Sequence, residues 1–124
     1  MEKTNETILI VEDDPFLNST IGHYLKEEGF IIDTVDEGET AFQKIKENDY
    51  KIILLDLIIP KKNGFEILKD LKKIGRLKTP IIVFSNLSQV EDEKEALELG
   101  ASAYYVKHNV SLKELIKIIK KFTN

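Results

Sequence analysis

Acidic side chains follow two separate apolar stretches of the sequence, and both stretches have the length of a buried strand. Glu12 and Asp13 come directly after Thr7–Val11, and Asp56 comes directly after Ile52–Leu55. A carboxylate placed there is costly unless it is exposed at the strand end, paired, or close to a metal ion. A loop or helix-capping role is the simpler explanation of Asp56 alone. We favour a functional site because both acidic positions end a strand, where open α/β sheets bind their ligands.

The chemistry of such a site follows from the charges. Three carboxylates brought together repel one another, and without a counter-charge at least one of them shifts toward protonation. A divalent cation removes this conflict, and ligands that are all oxygen favour Mg²⁺. An aspartate beside such an ion can act as a nucleophile toward phosphorus and form an acyl phosphate. The charge that develops requires a cation and a hydrogen-bond donor, and Lys107 and Ser85 supply both after two further apolar stretches.

Each of these residues also has an ordinary explanation. A single lysine after a strand is most often a solvated charge, and a single serine there is most often part of a turn. Only the combination of an acid pair, an aspartate, a hydroxyl and a lysine, each after its own strand, indicates a phosphate site. His23 and His108 belong to no such combination, and we interpret both as surface residues.

Short apolar runs alternate with amphipathic stretches along the sequence. The runs predict strands at Thr7–Val11, Ile31–Val35, Ile52–Leu55, 81–84 and 104–106. The stretches between them predict a helix from Pro15, capped by Asp14, to Gly29, and further helices at 38–48, from Gly64, at 88–99 and from the capping box of Ser111 and Glu114. This alternation predicts an α/β fold, a doubly wound five-stranded parallel sheet with five helices and the flavodoxin-like strand order 2-1-3-4-5. In that order the first and third strands are neighbours, so their acidic residues converge on one cleft.

The size and composition of the chain exclude several classes of protein. With 124 residues, positions 1–124 are expected to form a single domain without an output domain. The net charge of −4 gives no indication of nucleic-acid binding, and the lack of cysteine excludes a thiolate metal site and a cysteine nucleophile. No apolar run approaches the ~20 residues of a membrane helix, and no signal peptide is recognisable. We therefore expect a soluble cytoplasmic protein that does not bind membranes.

Taken together, these motifs resemble the response-regulator receiver domains of bacterial two-component signalling, with the chemotaxis regulators as a similar type. The matching segments are ILIVEDD at 8–14, DLIIP at 56–60 with Gly64, Ser85, and Gly100-Ala101 leading through Tyr104 to Lys107. The resemblance covers nearly the whole chain, and the combined motif is highly specific.

The resemblance implies the identity of the reacting group and of its metal. It implies that Asp56 accepts a phosphoryl group from a sensor histidine kinase or a phosphotransfer protein. It also implies that Mg²⁺ is held by the side chains of Glu12, Asp13 and Asp56 and by the backbone carbonyl of Ile58.

The resemblance further implies how the domain responds. Lys107 would bind a phosphoryl oxygen, Ser85 would turn toward the phosphate, and Tyr104 would change rotamer. Such a domain is a phospho-accepting switch rather than an enzyme, and it controls a downstream protein or an output domain.

Three positions depart from the family pattern. Asn86 stands where alanine or glycine is usual, and we expect it to slow chemistry at the aspartate. His108 stands where proline is usual, joined by a cis peptide. We expect a trans Lys107–His108 peptide instead, with the loop to Ser111 absorbing the difference. Ala103 replaces a common aspartate without a clear consequence.

Three other functions share parts of this pattern. A flavin-binding module has the same topology, but it requires a Ser/Thr/Gly-rich phosphate loop where Glu12-Asp13-Asp14 stands. A magnesium-dependent phosphatase with an aspartyl nucleophile places it after the first strand in a D-x-D arrangement, which this chain lacks. A degenerate receiver, acting only as a phosphorylation-independent protein-binding module, stays open because Asn86 and His108 depart from the pattern.

Charged stripes on the last two predicted helices suggest a surface for association. Residues of each stripe recur at helical spacing: Glu91, Glu95 and Glu98 on the fourth helix, and Lys113, Lys117 and Lys120 on the fifth. In a two-fold dimer the acidic stripe of one copy can meet the basic stripe of the other. We therefore expect a weak, salt-sensitive homodimer through the fourth helix, fifth strand and fifth helix, although two solvated faces are the simpler interpretation.

Overall fold

The computed structural model describes residues 7–123, which contain one five-stranded sheet. Its strands are β1 (Thr7–Val11), β2 (Ile31–Val35), β3 (Ile52–Leu55), β4 (Ile81–Ser85) and β5 (Ala103–Val106). Neighbouring strands are parallel, and their order is β2-β1-β3-β4-β5. The structure therefore confirms the predicted doubly wound, flavodoxin-like α/β fold, and it places the ends of β1 and β3 next to each other.

Five α-helices connect or follow the strands. They are α1 (Pro15–Glu27), α2 (Gly38–Glu47), α3 (Gly64–Lys73), α4 (Val90–Glu98) and α5 (Leu112–Thr123), with a short 3-10 helix at Lys107–Asn109. The start of α4 was predicted at Ser88 but lies at Val90, because Gln89 holds the cap position without a side-chain hydrogen bond. Within residues 7–123, no helix is long and apolar enough to cross a membrane.

Residues of β1 alternate between two apolar cores, one on each face of the sheet. Ile8 and Ile10 pack with side chains of α1 and α5, whereas Leu9 and Val11 pack with side chains of α2, α3 and α4. Because both faces are covered, the strand is a continuous apolar run rather than an alternating one. After Thr7 the strand is apolar throughout, and the acidic residues begin only where it ends, at the edge of the sheet.

Side-chain caps fix the starts of four helices, among them α2, where Glu37 accepts from the N–H of Thr40 at 3.0 Å. Asp14 accepts hydrogen bonds from two N–H groups in the first turn of α1, as predicted. Ser111 and Glu114 form the predicted reciprocal pair at the start of α5. Asn63 and Glu66 form a second capping box at α3, which the sequence analysis missed. These caps supply hydrogen bonds to N–H groups that have no partner inside their own helix.

Candidate functional site

Asp56 stands at the carboxyl end of β3 and is almost completely buried. Its N–H donates to the Val11 carbonyl at 3.1 Å, and its Oδ1 accepts from the N–H of Ile58 at 3.2 Å. The chain returns closely at Gly64, where a Cβ would lie 2.9 Å from the Asp56 carbonyl oxygen and 2.7 Å from the Cα of Leu57. Gly64 therefore allows the loop after β3 to fold back against the aspartate.

Glu12 and Asp13 continue β1 to the same edge of the sheet. The N–H of Glu12 donates to the Val35 carbonyl at 3.1 Å, and Glu12 Oε2 accepts from the N–H of Asp14 at 3.1 Å. Glu12 is buried, whereas Asp13 is exposed. Ligand oxygens of Glu12, Asp13 and Asp56 lie within 4.8 Å of one another. The structure thus brings the three predicted acidic residues into one group, called the carboxylate cluster below.

The lysine that follows β5 reaches into this cluster. Lys107 Nζ donates to Glu12 Oε1 at 2.7 Å and to Asp56 Oδ2 at 2.8 Å. Only 15% of the Lys107 side chain is exposed, so both contacts are shielded from water. The sequence placed Lys107 at the correct edge of the sheet, but it did not indicate that the amino group is shared between two carboxylates.

Burial and pairing shift the pKa values of the groups in the cluster in opposite directions. Burial raises the pKa of Glu12; hydrogen bonds from Lys107 and Asp14 oppose this change, and the charge of Asp56 adds to it. Burial alone would lower the pKa of Lys107, but hydrogen bonds and charges from Asp56 and Glu12 outweigh it and raise the pKa. The lysine is therefore protonated at neutral pH, and the cluster still favours additional positive charge.

The donor chemistry of the cluster fits Mg²⁺. This ion takes one or two carboxylates and fills its remaining positions with water and phosphate oxygens. The side chain of Asp13 makes no hydrogen bond or ion pair to any part of residues 7–123, so its carboxylate is free to serve as a ligand. Ile58 lies in the loop after β3, and its N–H already donates to Asp56. The carbonyl of the same residue is the backbone ligand that the resemblance implies.

The two expected switch residues both contact Leu87, in the loop after β4. Ser85 is fully buried, and its Oγ accepts a long hydrogen bond from the Leu87 N–H at 3.4 Å. Tyr104 packs against the core, and its hydroxyl donates to the Leu87 carbonyl at 2.7 Å. Burial, with the charges of Asp92 and Glu93, raises the pKa of Tyr104 to about 12. Among the described residues, the Ser85 hydroxyl makes no hydrogen bond to Lys107 or to the carboxylate cluster.

Two of the three departures from the family pattern, Asn86 and His108, lie around this edge of the sheet. Residues 7–123 contain no cis peptide bond, which agrees with the predicted trans Lys107–His108 peptide. A 3-10 turn occupies the position of the expected proline, with the Val110 N–H donating to the Lys107 carbonyl at 3.4 Å. Asn86 is exposed directly after β4, and Ala103 is half-buried at the start of β5.

The lysine stripe of α5 does not face α4. Lys113, Lys117 and Lys120 line a groove together with Tyr24 of α1 and with Glu28, the residue that follows this helix. Lys120 forms an ion pair with Glu28 at 2.8 Å. Helical spacing correctly placed the lysines on one face, but it could not show which neighbouring helix that face would border. The homodimer through the fourth helix, fifth strand and fifth helix stays a prediction, and its basic stripe borders α1 within one copy.

Two features of the site were missed by sequence reasoning. Asn18 of α1 donates from Nδ2 to the Glu12 carbonyl at 3.0 Å and to the Val35 carbonyl at 3.4 Å. Lys61, in the loop after Asp56, has a φ of 71°, a left-handed conformation that lysine rarely adopts. Asparagine in a helix and lysine in a loop are both common, so no sequence signal distinguished either position.

This sheet order, with a carboxylate cluster and a lysine at the carboxyl edge, defines a class of protein. Residues 8–120 match the family model of the response regulator receiver domain. The chain belongs to this family, whose members are phospho-accepting switches of two-component systems. Receiver domains act together with histidine kinases and output domains.

Among individual proteins, the chain is similar to two bacterial regulators. It is 33% identical over 117 residues to the gliding motility regulatory protein of Myxococcus xanthus, a match that covers 94% of this chain and 15% of that protein. It is 39% identical over 100 residues to the cell cycle response regulator CtrA of Brucella ovis, covering 81% of this chain and 43% of CtrA. The chain thus spans less than half the length of either relative.

Solved receiver domains share the fold over almost the whole chain. A response regulator receiver domain from Francisella is 29% identical with a TM-score of 0.88, covering 96% of this chain and 97% of that one. The beryllofluoride-activated receiver domain of Klebsiella pneumoniae RstA is 27% identical with a TM-score of 0.82, covering 95% and 99%. These similarities agree with the strand order and helix positions described above.

Proposed function

We propose that this chain is a single receiver domain that accepts a phosphoryl group on Asp56 in a magnesium-dependent reaction. The observation that carries the proposal is the shared lysine. Lys107 Nζ contacts Glu12 at 2.7 Å and Asp56 at 2.8 Å, with Asp13 in the same cluster. A buried carboxylate held between a cation and further metal-binding oxygens lies where incoming phosphoryl charge is stabilised.

In the proposed reaction, a carboxylate oxygen of Asp56 attacks the phosphorus of a phosphohistidine on a sensor kinase or phosphotransfer protein. The P–N bond breaks, its electron pair stays on the histidine nitrogen, and an acyl phosphate forms on Asp56. Glu12, Asp13, Asp56 and the Ile58 carbonyl would hold Mg²⁺, which when bound neutralises charge on the phosphoryl oxygens. Lys107 would exchange its contact with Asp56 for a contact with a phosphoryl oxygen.

The proposed output begins at Leu87. The hydrogen bond from the Leu87 N–H to Ser85 is long, so the serine hydroxyl can leave it for a phosphoryl oxygen at low cost. Movement of this segment would change the partner of the Tyr104 hydroxyl, which is the Leu87 carbonyl. A partner protein or output domain would recognise the resulting change at α4, β5 and α5. The chain would act in this way in the cytoplasm, as a switch and not as an enzyme with a separate substrate.

Mass spectrometry after treatment with acetyl phosphate tests the proposal. The wild-type protein should gain a phosphoryl group only with Mg²⁺ present, and Asp56→Asn should gain none. Asp36→Asn is a matched control, because Asp36 is exposed after β2 at the same edge but lies outside the carboxylate cluster. Modification of Asp56→Asn at the wild-type rate would show that the nucleophile is wrongly assigned. An unmodified wild type would favour the phosphorylation-independent binding module.

A further inference from the structure

We infer that Asn18 is a positioning residue for Asp13, and that its side-chain amide sets the affinity of the carboxylate cluster for a divalent cation. This inference rests on the proposed function, in which Asp13 is one of the ligands of Mg²⁺. Asn18 lies on α1 and belongs to none of the motifs that identify the site. It is partly buried, and it is the helix residue whose side chain reaches the backbone of the acid pair.

The side-chain nitrogen of Asn18 has two N–H bonds, and two backbone carbonyl oxygens accept from it. Its Nδ2 donates to the Glu12 carbonyl at 3.0 Å and to the Val35 carbonyl at 3.4 Å. Both neighbours are carbonyl oxygens, which only accept hydrogen bonds, so the amide nitrogen and not the amide oxygen must face them. The Val35 carbonyl also accepts from the Glu12 N–H at 3.1 Å. Asn18 therefore ties α1 to the point where β1 and β2 end.

The contact with the Glu12 carbonyl determines where Asp13 points. This carbonyl belongs to the peptide unit that joins Glu12 to Asp13. Because a peptide unit is planar, holding its carbonyl also holds the direction of the Asp13 N–H and the position from which the Asp13 side chain leaves the backbone. A rotation of this unit would aim the Asp13 carboxylate away from Glu12 and Asp56.

Asp13 depends on this support more than its neighbours do. The carboxylate of Glu12 is held by Lys107 on one oxygen and by the Asp14 N–H on the other. The carboxylate of Asp56 is likewise held by Lys107 and by the N–H of Ile58. The Asp13 side chain is exposed and makes no hydrogen bond within residues 7–123, so only its backbone directs it. Asn18 supplies a side-chain restraint on that backbone.

The test is the Mg²⁺ affinity of Asn18→Leu, measured on the full chain by ¹⁵N NMR titration with MgCl₂. Removing an outer partner of a metal ligand typically costs 10–100-fold in affinity, so the Kd should rise about tenfold or more. The amide resonance of Asp13 should also shift before metal is added, because its peptide unit has lost a hydrogen bond. Thr20→Val is the matched control: it removes the bond from Thr20 Oγ1 to the Phe16 carbonyl in the same helix, away from the cluster, and should leave the Kd unchanged.

A double-mutant cycle separates positioning from a general weakening of the fold. Asn18→Leu should cost little further affinity in an Asp13→Asn background, because Asn18 acts through Asp13. Fully additive losses, or a wild-type Kd in Asn18→Leu, would overturn the inference. Absence of Mg²⁺ binding by the wild type would instead refute the proposed metal site, and the inference with it. Should Asn18→Leu fail to fold, Asn18→Ser takes its place, since a serine hydroxyl is too short to reach both carbonyls.

Discussion

Lys107 neutralises only part of the charge that the cluster contains. One amino group contacts two buried carboxylates, and the third acidic side chain, that of Asp13, has no cation beside it among residues 7–123. The pKa of Glu12 stays raised by burial even with the lysine in contact, so keeping Glu12 ionised in the fold costs free energy. A chain selected only for stability would not keep this arrangement. The residues are instead suited to the cation and the phosphoryl group of the proposed function.

Asn86 is a residue whose substitution should change the rate of the chemistry without removing a member of the carboxylate cluster. It is exposed beside Ser85, and its amide is larger than the methyl group or hydrogen that the receiver pattern has there. We expect it to stand where the phosphoryl group and an attacking water approach. Asn86→Ala should accelerate phosphorylation by acetyl phosphate, dephosphorylation, or both. Because a misplacement of ~1 Å can cost on the order of 10²-fold, that factor is an upper bound for the gain.

Time-resolved phosphorylation and decay of the acyl phosphate measure this effect. Gln89→Ala is the control, because Gln89 lies in the same exposed loop without a side-chain hydrogen bond at the helix cap. Equal rates for wild type and Asn86→Ala would show that the Asn86 amide points away from the reacting groups.

At the scale of the helices, the capping box at the start of α5 should make the stability of the protein depend on pH. The Ser111 N–H donates to Glu114 at 2.8 Å, and this bond lowers the pKa of Glu114 below its ordinary value of 4.5. A group with a lowered folded pKa stabilises the fold above its unfolded pKa, and this contribution is lost as pH falls through the folded value. Glu114→Ala should therefore destabilise the protein at neutral pH, with a difference from wild type that shrinks below pH 4.5.

Urea denaturation across this pH range provides the measurement. Glu95→Ala is the matched control, because Glu95 is exposed on α4 and accepts no side-chain hydrogen bond within the described residues. A constant difference between Glu114→Ala and wild type at all pH values would mean that the carboxylate does not cap α5.

The order of the elements could be predicted because the apolar runs are short and covered on both faces. Once β1 and β3 are neighbours, Glu12 and Asp56 must meet at one edge, so the cluster followed from topology alone. The start of α4 was misplaced because Gln89 gives no capping signal of the kind that Asp14 provides for α1. Long-range contacts made by single side chains, such as the amide of Asn18, have no periodicity to reveal them.

The sequence also could not show which neighbouring helix the lysines of α5 would border. Spacing at three and four residues placed Lys113, Lys117 and Lys120 on one face of the helix. The direction of that face depends on how α5 packs on the sheet. The packing is set by burial of Leu115 and Ile119, which is seen only in the folded protein. The result is a face that borders α1, with Lys120 bound to Glu28.

For the whole protein, Mg²⁺ should act as a stabilising ligand. A ligand that binds only the native state adds RT ln(1 + [L]/Kd), which is about 1–3 kcal/mol at ~10–100 times Kd. Asp13→Asn should raise the metal-free melting temperature, since it relieves repulsion, and should reduce the Mg²⁺ increment, because Glu12 and Asp56 remain as ligands. Thermal unfolding followed by circular dichroism, with Asp36→Asn as the control, measures both effects. A wild-type melting temperature that is independent of Mg²⁺ would count against the site.

Association of whole molecules should not depend on the lysine stripe. Lys117 borders the groove beside α1, and Lys120 is already paired, so neither faces an acidic stripe across α4 and β5. We expect any association induced by beryllofluoride to be the same for Lys117→Glu and wild type in sedimentation velocity. Glu95→Lys, which reverses one charge in the acidic stripe of α4, is the variant to compare with Lys117→Glu. Loss of association in Lys117→Glu alone would restore the stripe-to-stripe dimer that the sequence suggested.

The contacts of Ser85 and Tyr104 with Leu87 have a consequence for the evolution of such domains. Both partners bind main-chain atoms, the N–H and the carbonyl, and neither recognises the leucine side chain. Because the Leu87 side chain is partly buried against the core, an apolar residue of similar size at position 87 would keep both main-chain contacts. The residue at position 87 can therefore vary among such domains without loss of the contacts of Ser85 and Tyr104.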